Sequence, residues 1–317
     1  VIKDIAELNG AVRYTDYSTS GGVTTWKVGG TITPIPDIRL RGSISRDIRA
    51  PNLNELFAGQ SQVSASLVDA QTGFAGAVLT RSGGNPALKP ERGTTYTAGL
   101  SVTPSAVKGF TVGFDYWKIN MKDAIAAPFT AQQILDNCFQ SGGSSPLCAF
   151  ITRNPALGNI PSIVITPNQN VSLFKASGID FEVGYRNEVG PGTLSTRLLA
   201  TRMLHYQQQR ALGQPLVEYL NTMDLPGFQP IPKWQANLTI GYDWNGWTGN
   251  LTERIIGGYN KSATFVYQDP TIAPVGYLDL HVSYDFKPWG HDTQVYLNVN
   301  NVMDKLPPLW AGTVAPG

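Results

Sequence analysis

Segment after segment of this chain alternates apolar and polar side chains with a period of two, over lengths of about nine residues or more. That pattern restricts it to β-strands with two chemically different faces. Ile38, Leu40 and Ile44 alternate with Arg39, Arg41, Ser43 and Ser45. Tyr96, Ala98, Leu100 and Val102 alternate with Thr95, Thr97, Gly99 and Ser101. The same rhythm sets Ile179, Phe181, Val183 and Tyr185 against Asp180, Glu182, Gly184 and Arg186. It sets Trp234, Ala236, Leu238, Ile240 and Tyr242 against Gln235, Asn237, Thr239 and Gly241. It sets Leu278, Leu280, Val282, Tyr284 and Phe286 against Asp279, His281, Ser283 and Asp285. Further strands are expected over Leu8–Ser18, Val23–Thr33, Phe110–Met121, Thr193–Tyr206, Thr248–Tyr259 and Thr293–Asn300, giving about eleven. Each is near or above the ~9–11 residues that cross a bilayer when tilted, whereas strands of soluble domains run to ~5–6. Two places resist: Arg202 shares a face with Leu198 and Leu204, and Glu253 sits between Leu251 and Ile255. A bulge, or a strand continuing past the bilayer, would accommodate either.

Composition narrows the class without deciding it. Charged residues make up 15%, short of the ~25% usual for soluble domains, so something other than charge covers much of the surface. No stretch approaches the ~18 consecutive apolar residues of a spanning helix. A net charge of +1 gives no reason to expect a nucleic-acid partner. A soluble all-β protein and a membrane barrel remain. Connection lengths separate them. Tight ones at Thr33–Asp37, Pro104–Gly109, Glu188–Gly192, Trp244–Trp247 and Lys287–Asp292 take turns with long ones at Ala50–Gly93, Lys122–Asn170, Gln207–Ile231 and Asn260–Pro274. Only Thr19–Gly22 is short where a long one belongs. A meander whose two rims face different compartments makes this alternation; a Greek-key sandwich has no reason to. Trp117, Trp234, Trp244, Trp247, Tyr259, Phe286 and Trp289 fall toward strand ends, where amphipathic rings suit a lipid headgroup level. Short helices are expected over Asn52–Phe57 and Ala131–Cys138 inside long connections.

The two cysteines, Cys138 and Cys148, lie in a Gly-, Ser- and Pro-rich connection, without CxxC spacing or a nearby histidine. A metal site is disfavoured. A loop disulfide in an oxidising compartment is the reading preferred, with Cα atoms within roughly 7 Å; two reduced thiols are the alternative. The chain opens on Val1, not a start methionine, so processing or truncation of the true N-terminus is expected.

The stretch from Arg41 through Ser45, Arg46, Arg49-Ala-Pro and Glu55-Leu-Phe57 resembles a signature of TonB-dependent receptor barrels. Asn85-Pro-Ala-Leu-Lys-Pro-Glu91 followed by Tyr96 matches that family's next motif. Asn298-Val-Asn-Asn-Val-Met-Asp-Lys305 is similar to its penultimate-strand motif, with Met303 where an aromatic is commoner. Asp115-Tyr-Trp-Lys-Ile, Asp123-Ala-Ile, Gln132 through Cys138, Cys148 and Ser177-Gly-Ile-Asp-Phe181 resemble a proteobacterial subgroup. The resemblance implies an incomplete part of a 22-stranded barrel: residues 1–317 as its C-terminal portion, without the plug domain and the closing strand. It also implies an outer-membrane lipid environment, a TonB energy-coupling partner reached through a region outside this chain, and a small nutrient ligand. Iron-siderophore, cobalamin-type and oligosaccharide ligands all fit. No cofactor is implied.

Little else in the sequence points to chemistry. Asp180 and Glu182, like Asp279 and Asp285, share a strand face, which in an alternating strand is simply the wet side. His205, His281 and His291 have no ligand spacing, and no phosphate loop, GxSxG or HExxH segment occurs. Asn170-Val-Ser, Asn237-Leu-Thr and Asn250-Leu-Thr are read as chance sequons. What remains is a set of candidate lumen-facing residues: Arg39, Arg41, Asp115, Asp180, Glu182, Arg186, Asp279, His281 and Asp285. Phe57, Phe74, Phe129, Phe139, Phe150, Tyr219, Phe228, Phe265 and Tyr267 in the long connections are candidates for gripping a ligand. In a barrel, Ile38, Leu40, Ile44, Leu238, Ile240, Leu278, Leu280 and Val282 face lipid, and Arg39, Arg41, Gln235, Asn237, Asp279 and His281 face the lumen. A soluble sandwich would bury the apolar set under a second sheet. Active uptake leads as the functional expectation, with a passive channel or adhesin barrel second and a soluble carbohydrate-binding or hydrolytic protein third.

Overall fold

The computed structural model describes residues 5–19, 21–127, 129–209, 215–223, 230–262 and 266–308. The chain runs β1 (Ala6–Tyr17), β2 (Gly21–Ile35), β3 (Ile38–Arg49), α1 (Leu53–Phe57), β4 (Ser61–Asp69), β5 (Phe74–Ser82) and β6 (Glu91–Val102). There follow β7 (Phe110–Ala126), α2 (Ala131–Gln140), a 3-10 turn at Pro146–Phe150, β8 (Ile151–Asn154), β9 (Ile160–Ile165), β10 (Gln169–Val189) and β11 (Gly192–Gln209). The last part holds the two-residue β12 (Val217–Glu218), β13 (Trp234–Trp244), β14 (Trp247–Ile256), β15 (Tyr259–Asn260), β16 (Thr271–Ile272), β17 (Val275–Phe286) and β18 (Thr293–Val299).

Eleven long strands form one antiparallel meander in the order β1-β2-β3-β6-β7-β10-β11-β13-β14-β17-β18, with β12 added beside β11. Strands joined by tight turns pair, and each long connection also returns the chain to the neighbouring position in the sheet. Between β13 and β14, Asn245 and Gly246 both have positive φ (47° and 82°), the two-residue geometry that matches strand twist and that Asn-Gly adopts readily. Trp244 and Trp247 therefore stand directly opposite each other. A bulge accommodates Leu204 and no more: Ser177 pairs with His205 but Gly178 with Met203, so Leu204 is the extra residue, while Arg202 keeps an unbroken register with Leu198 on the apolar face. Glu253 likewise stays where the sequence puts it. It pairs in unbroken register with Leu238 and Leu278 and lies on the apolar face.

That apolar face is bare. Among the described residues of the eleven long strands, only Ala176 and Val275 are buried apolar side chains. Leu40, Ile240 and Leu251 are 44%, 43% and 44% exposed, and Ile38, Ile44, Leu238, Leu278, Leu280 and Val282 are half-buried by their own sheet neighbours. No second sheet among the described residues covers them, which argues against the sandwich. No described helix is long and apolar enough to cross a membrane.

The compact core lies elsewhere. β4, β5, β9 and β8 make a separate four-stranded sheet, with β5 and β9 parallel. Leu67, Val78, Ala131, Ile134, Leu135 and Val164 pack together there, burying one side of α2. Thr130 caps that helix and Gln133 completes a capping box. The connections 50–90 and 127–168, expected as loops with short helices, thus fold together into one small unit.

Candidate functional site

The polar face of the meander and the rim that joins its two longest connections carry the organised side-chain chemistry. On the polar face, the register places Arg41, Gly99, Asp115, Asp180 and Thr201 in one row across β3, β6, β7, β10 and β11. Arg41 reaches across β6 to Asp115 in a two-pronged ion pair, with Nε donating to Oδ1 at 2.7 Å and the second nitrogen to Oδ2. Gly99 makes this possible: a Cβ there would lie 2.0 Å from Asp115 Oδ1. Asp180 accepts from the Thr201 hydroxyl at 2.8 Å, and Arg197 donates to Glu182 at 2.9 Å.

Farther along the sheet Arg186 sits 3.6 Å from Asp243. His281 Nδ1 is 2.6 Å from Asn298 Oδ1, and Gln294 donates to Asp285 at 2.8 Å. Asp279 accepts the backbone N–H of Asn301 at 2.7 Å, while Asn301 has φ of 52° and its side chain closes the turn onto Lys305. That is the physical content of the Asn-Asn-Val-Met-Asp segment. Arg39 has no side-chain partner among the described residues. All nine candidate residues stand on one face, and the structure brings most into pairs. The pairing partners Arg197, Asp243, Thr201 and Asn298 are not among the nine, though all four have the polar-face parity.

Trp117 also points to the polar face, with its ring over Gly178, not toward a headgroup belt. Trp244, Trp247, Tyr284 and Phe286 do cluster on the apolar face at the tight-turn rim. Trp247 and Tyr284 have ring centroids 4.6 Å apart, and Tyr284 and Phe286 stack at 5.7 Å.

At the opposite rim the sequence motifs converge on one knot. Arg49, ending β3, donates to both carboxylate oxygens of Glu91 (2.6 and 2.7 Å) and of Glu55 (2.9 and 3.0 Å). Glu55 completes a capping box with Asn52 on α1. The Arg49 guanidinium, ahead of the other contacts, holds the Glu55 carboxyl below its ordinary range. Glu91, buried, also accepts the Ile125 N–H at 2.8 Å. Asn85 bonds the Asn168 carbonyl and Asn170 those of Lys89 and Asp123. The knot therefore gathers both ends of the first long connection and both ends of the second.

Above it, Asp69 is fully buried and is held by Arg153 at 2.7 and 3.1 Å, which keeps its carboxyl below the ordinary range. Cys138 and Cys148 are joined, with Cα atoms 5.1 Å apart, linking α2 to the 3-10 turn. Phe74, Phe129 and Phe150 pack against the loop core and Tyr219 is buried, so these four are structural. Phe57 and Phe139 are exposed; Phe228 and Phe265 lie outside the described residues. No cluster of three metal-ligating side chains occurs among the described residues.

The TonB-dependent receptor-like β-barrel family matches residues 4–302. No curated protein matches the sequence. Among solved structures, the fold is similar to a variant of the ferric enterobactin receptor PfeA of Pseudomonas aeruginosa in complex with enterobactin. There the TM-score is 0.67 at 15% identity, over 95% of this chain and 38% of that one. The siderophore receptor PirA of Acinetobacter baumannii gives 0.63 at 15%, over 96% and 40%. The FrpB iron transporter of Neisseria meningitidis gives 0.56 at 14%, over 96% and 40%. The chain spans about two fifths of the length of the structures it matches.

Proposed function

Because the chain belongs to the TonB-dependent receptor β-barrel family, we propose that it is the C-terminal part of an outer-membrane barrel that actively imports a small, scarce nutrient. The observation that carries this is the division of one large sheet into a bare apolar face and a face laddered with paired charges. Lipid outside and a hydrated lumen inside satisfy both at once. The nine polar-face residues line that lumen, and the ion pairs among them leave a wall of mixed sign instead of a fixed selectivity ring. The folded connections above the rim form the outer mouth. A ferric siderophore is the first ligand class to test, since the receptors of similar fold include siderophore receptors. The energy-coupling contact belongs to a region outside this chain.

The test is uptake of a labelled ferric siderophore panel by cells expressing the whole receptor, with and without the energy-coupling protein. Uptake of at least one ligand that collapses when coupling is lost supports the proposal. Uptake that persists unchanged identifies a passive channel and refutes it.

A further inference from the structure

The small unit formed by the two long connections has an open sheet edge. Gln132 bonds the Val68 main chain on the side away from β5. The Val68 N–H donates to Oε1 at 2.9 Å, and Nε2 donates to the Val68 carbonyl at 2.7 Å. The carboxamide thereby takes the place that a peptide group of a neighbouring strand would hold. Main-chain groups alternate in direction along a strand, so the N–H and C=O of Gln62, Ser64 and Ser66 point the same way as those of Val68. Among the described residues these groups have no hydrogen-bond partner, because β4 pairs with β5 alone.

Exposed edges are ordinarily guarded by brevity, charge, proline or a bulge. The far edge of this sheet is guarded: β8 has four residues, shifts register between Thr152 and Arg153, and runs straight into Pro155. β4 has none of these devices. Its nine residues pair with β5 in unbroken register, and Ser61 to Val68 include neither a charge nor a proline. Gln62, Ser64 and Ser66 are exposed. Gln132 interrupts the edge at Val68 and so confines an added strand to the stretch before it.

We infer that β4 pairs edge to edge with β4 of a second copy of this chain, antiparallel about a two-fold axis at Ser64. In that register the strand is complementary to itself. Ser64 faces Ser64 and Gln62 faces Ser66, so each outward N–H and C=O from Gln62 to Ser66 meets its complement. The two Ser64 hydroxyls stand across from each other, a cross-strand pairing that stabilises sheets, and no like charges are opposed. Val63, 59% exposed in the single chain, comes beside Ala65 of the second copy. Such a contact is isologous and closes at two copies. An edge this short holds freely diffusing molecules weakly, but two barrels in one membrane meet at a raised effective concentration. The inference concerns association and does not depend on which nutrient is imported.

The experiment uses the whole receptor in cell membranes, with single added cysteines and oxidation by copper phenanthroline. Ser64→Cys is expected to link to itself, because a hydrogen-bonded antiparallel pair holds its Cα atoms about 5.5 Å apart, inside the disulfide range. Gln62→Cys and Ser66→Cys should each link poorly alone. Co-expressed, they should link roughly tenfold faster, since only the mixed pair is opposed in this register. Ser64→Pro removes an outward N–H and spares the bonds to β5. Added to the co-expressed pair it should abolish the link, with the bond between Cys138 and Cys148 intact as the sign of a folded unit. Linking of Ser66→Cys alone at the mixed rate, or a link that survives Ser64→Pro, overturns the inference. So does the absence of a link from Ser64→Cys, whatever the cause. A thiol there that a water-soluble maleimide fails to reach is covered by another part of the receptor, and one that it labels freely is an edge left open. Should Ser64→Pro not fold, the dependence on register decides alone. Cross-linking is read without ligand, so its failure leaves the import reading untouched, and failed import leaves the paired edge standing.

Discussion

Asp115 and Asp69 each answer an arginine, yet the physics around them differs. Asp115 and Arg41 are both part-exposed on the polar face, so solvent screens their pair and its worth is about 0–1 kcal/mol. Asp69 has no exposed surface and Arg153 little. Arg153→Ala would leave a buried carboxylate unpaired, at a cost on the order of 3–5 kcal/mol. The prediction is rapid hydrogen exchange through β4 and β5 in that variant, with β13 and β14 unaffected; unchanged exchange in β4 would contradict it. Acid should act similarly. The folded carboxyls of Asp69 and Glu55 titrate below their ordinary values of 3.8 and 4.5. Their contribution is therefore complete above those values and is lost as pH falls through the lowered ones. Exchange in the loop unit should rise below pH 3.8 before that of the meander does. At this scale the sequence is legible in parity and illegible in pairing. Alternation puts Arg41 and Asp115 on wet faces, but that they meet across Gly99 depends on a register between strands 74 residues apart.

Elements read more easily than contacts. The long strands announce themselves because each repeats one local rule for about ten residues, and the tight turns fix who pairs with whom. β4, β5, β8 and β9 fall where the sequence predicts loop, although Val63, Ala65 and Leu67 alternate with Gln62, Ser64 and Ser66. Their sheet needs β9 to lie parallel to β5 from a different connection, and no local signal specifies such a non-local partner. The disulfide lies inside this unit, joining α2 to the turn that leads into β8. Closing its short loop stabilises by roughly 3 kcal/mol in the chain-entropy model. Reduction, or Cys138→Ser with Cys148→Ser, should raise exchange in α2 and β8 to a corresponding degree and leave β10 and β11 protected. Loss of the meander on reduction would contradict the division into two units.

The whole molecule is a sheet with two open edges. β1 exposes Leu8 and Val12, and β18 exposes Val295, Tyr296 and Leu297, and neither edge has a further partner among the described residues. Unpaired edges of this length are unusual in a finished fold, which accords with a part of a larger barrel. In the proposed barrel, one face of the meander meets lipid and the other water. Spin labels placed singly along β13, from Trp234 to Tyr242, in the whole receptor reconstituted in lipid test it most directly. The account predicts a period of two: labels at 234, 236, 238, 240 and 242 relaxed by oxygen dissolved in the bilayer, and labels at 235, 237, 239 and 241 relaxed by a water-soluble nickel complex. Labels at the even positions that are reached by the nickel complex, or shielded from both reagents, would contradict it.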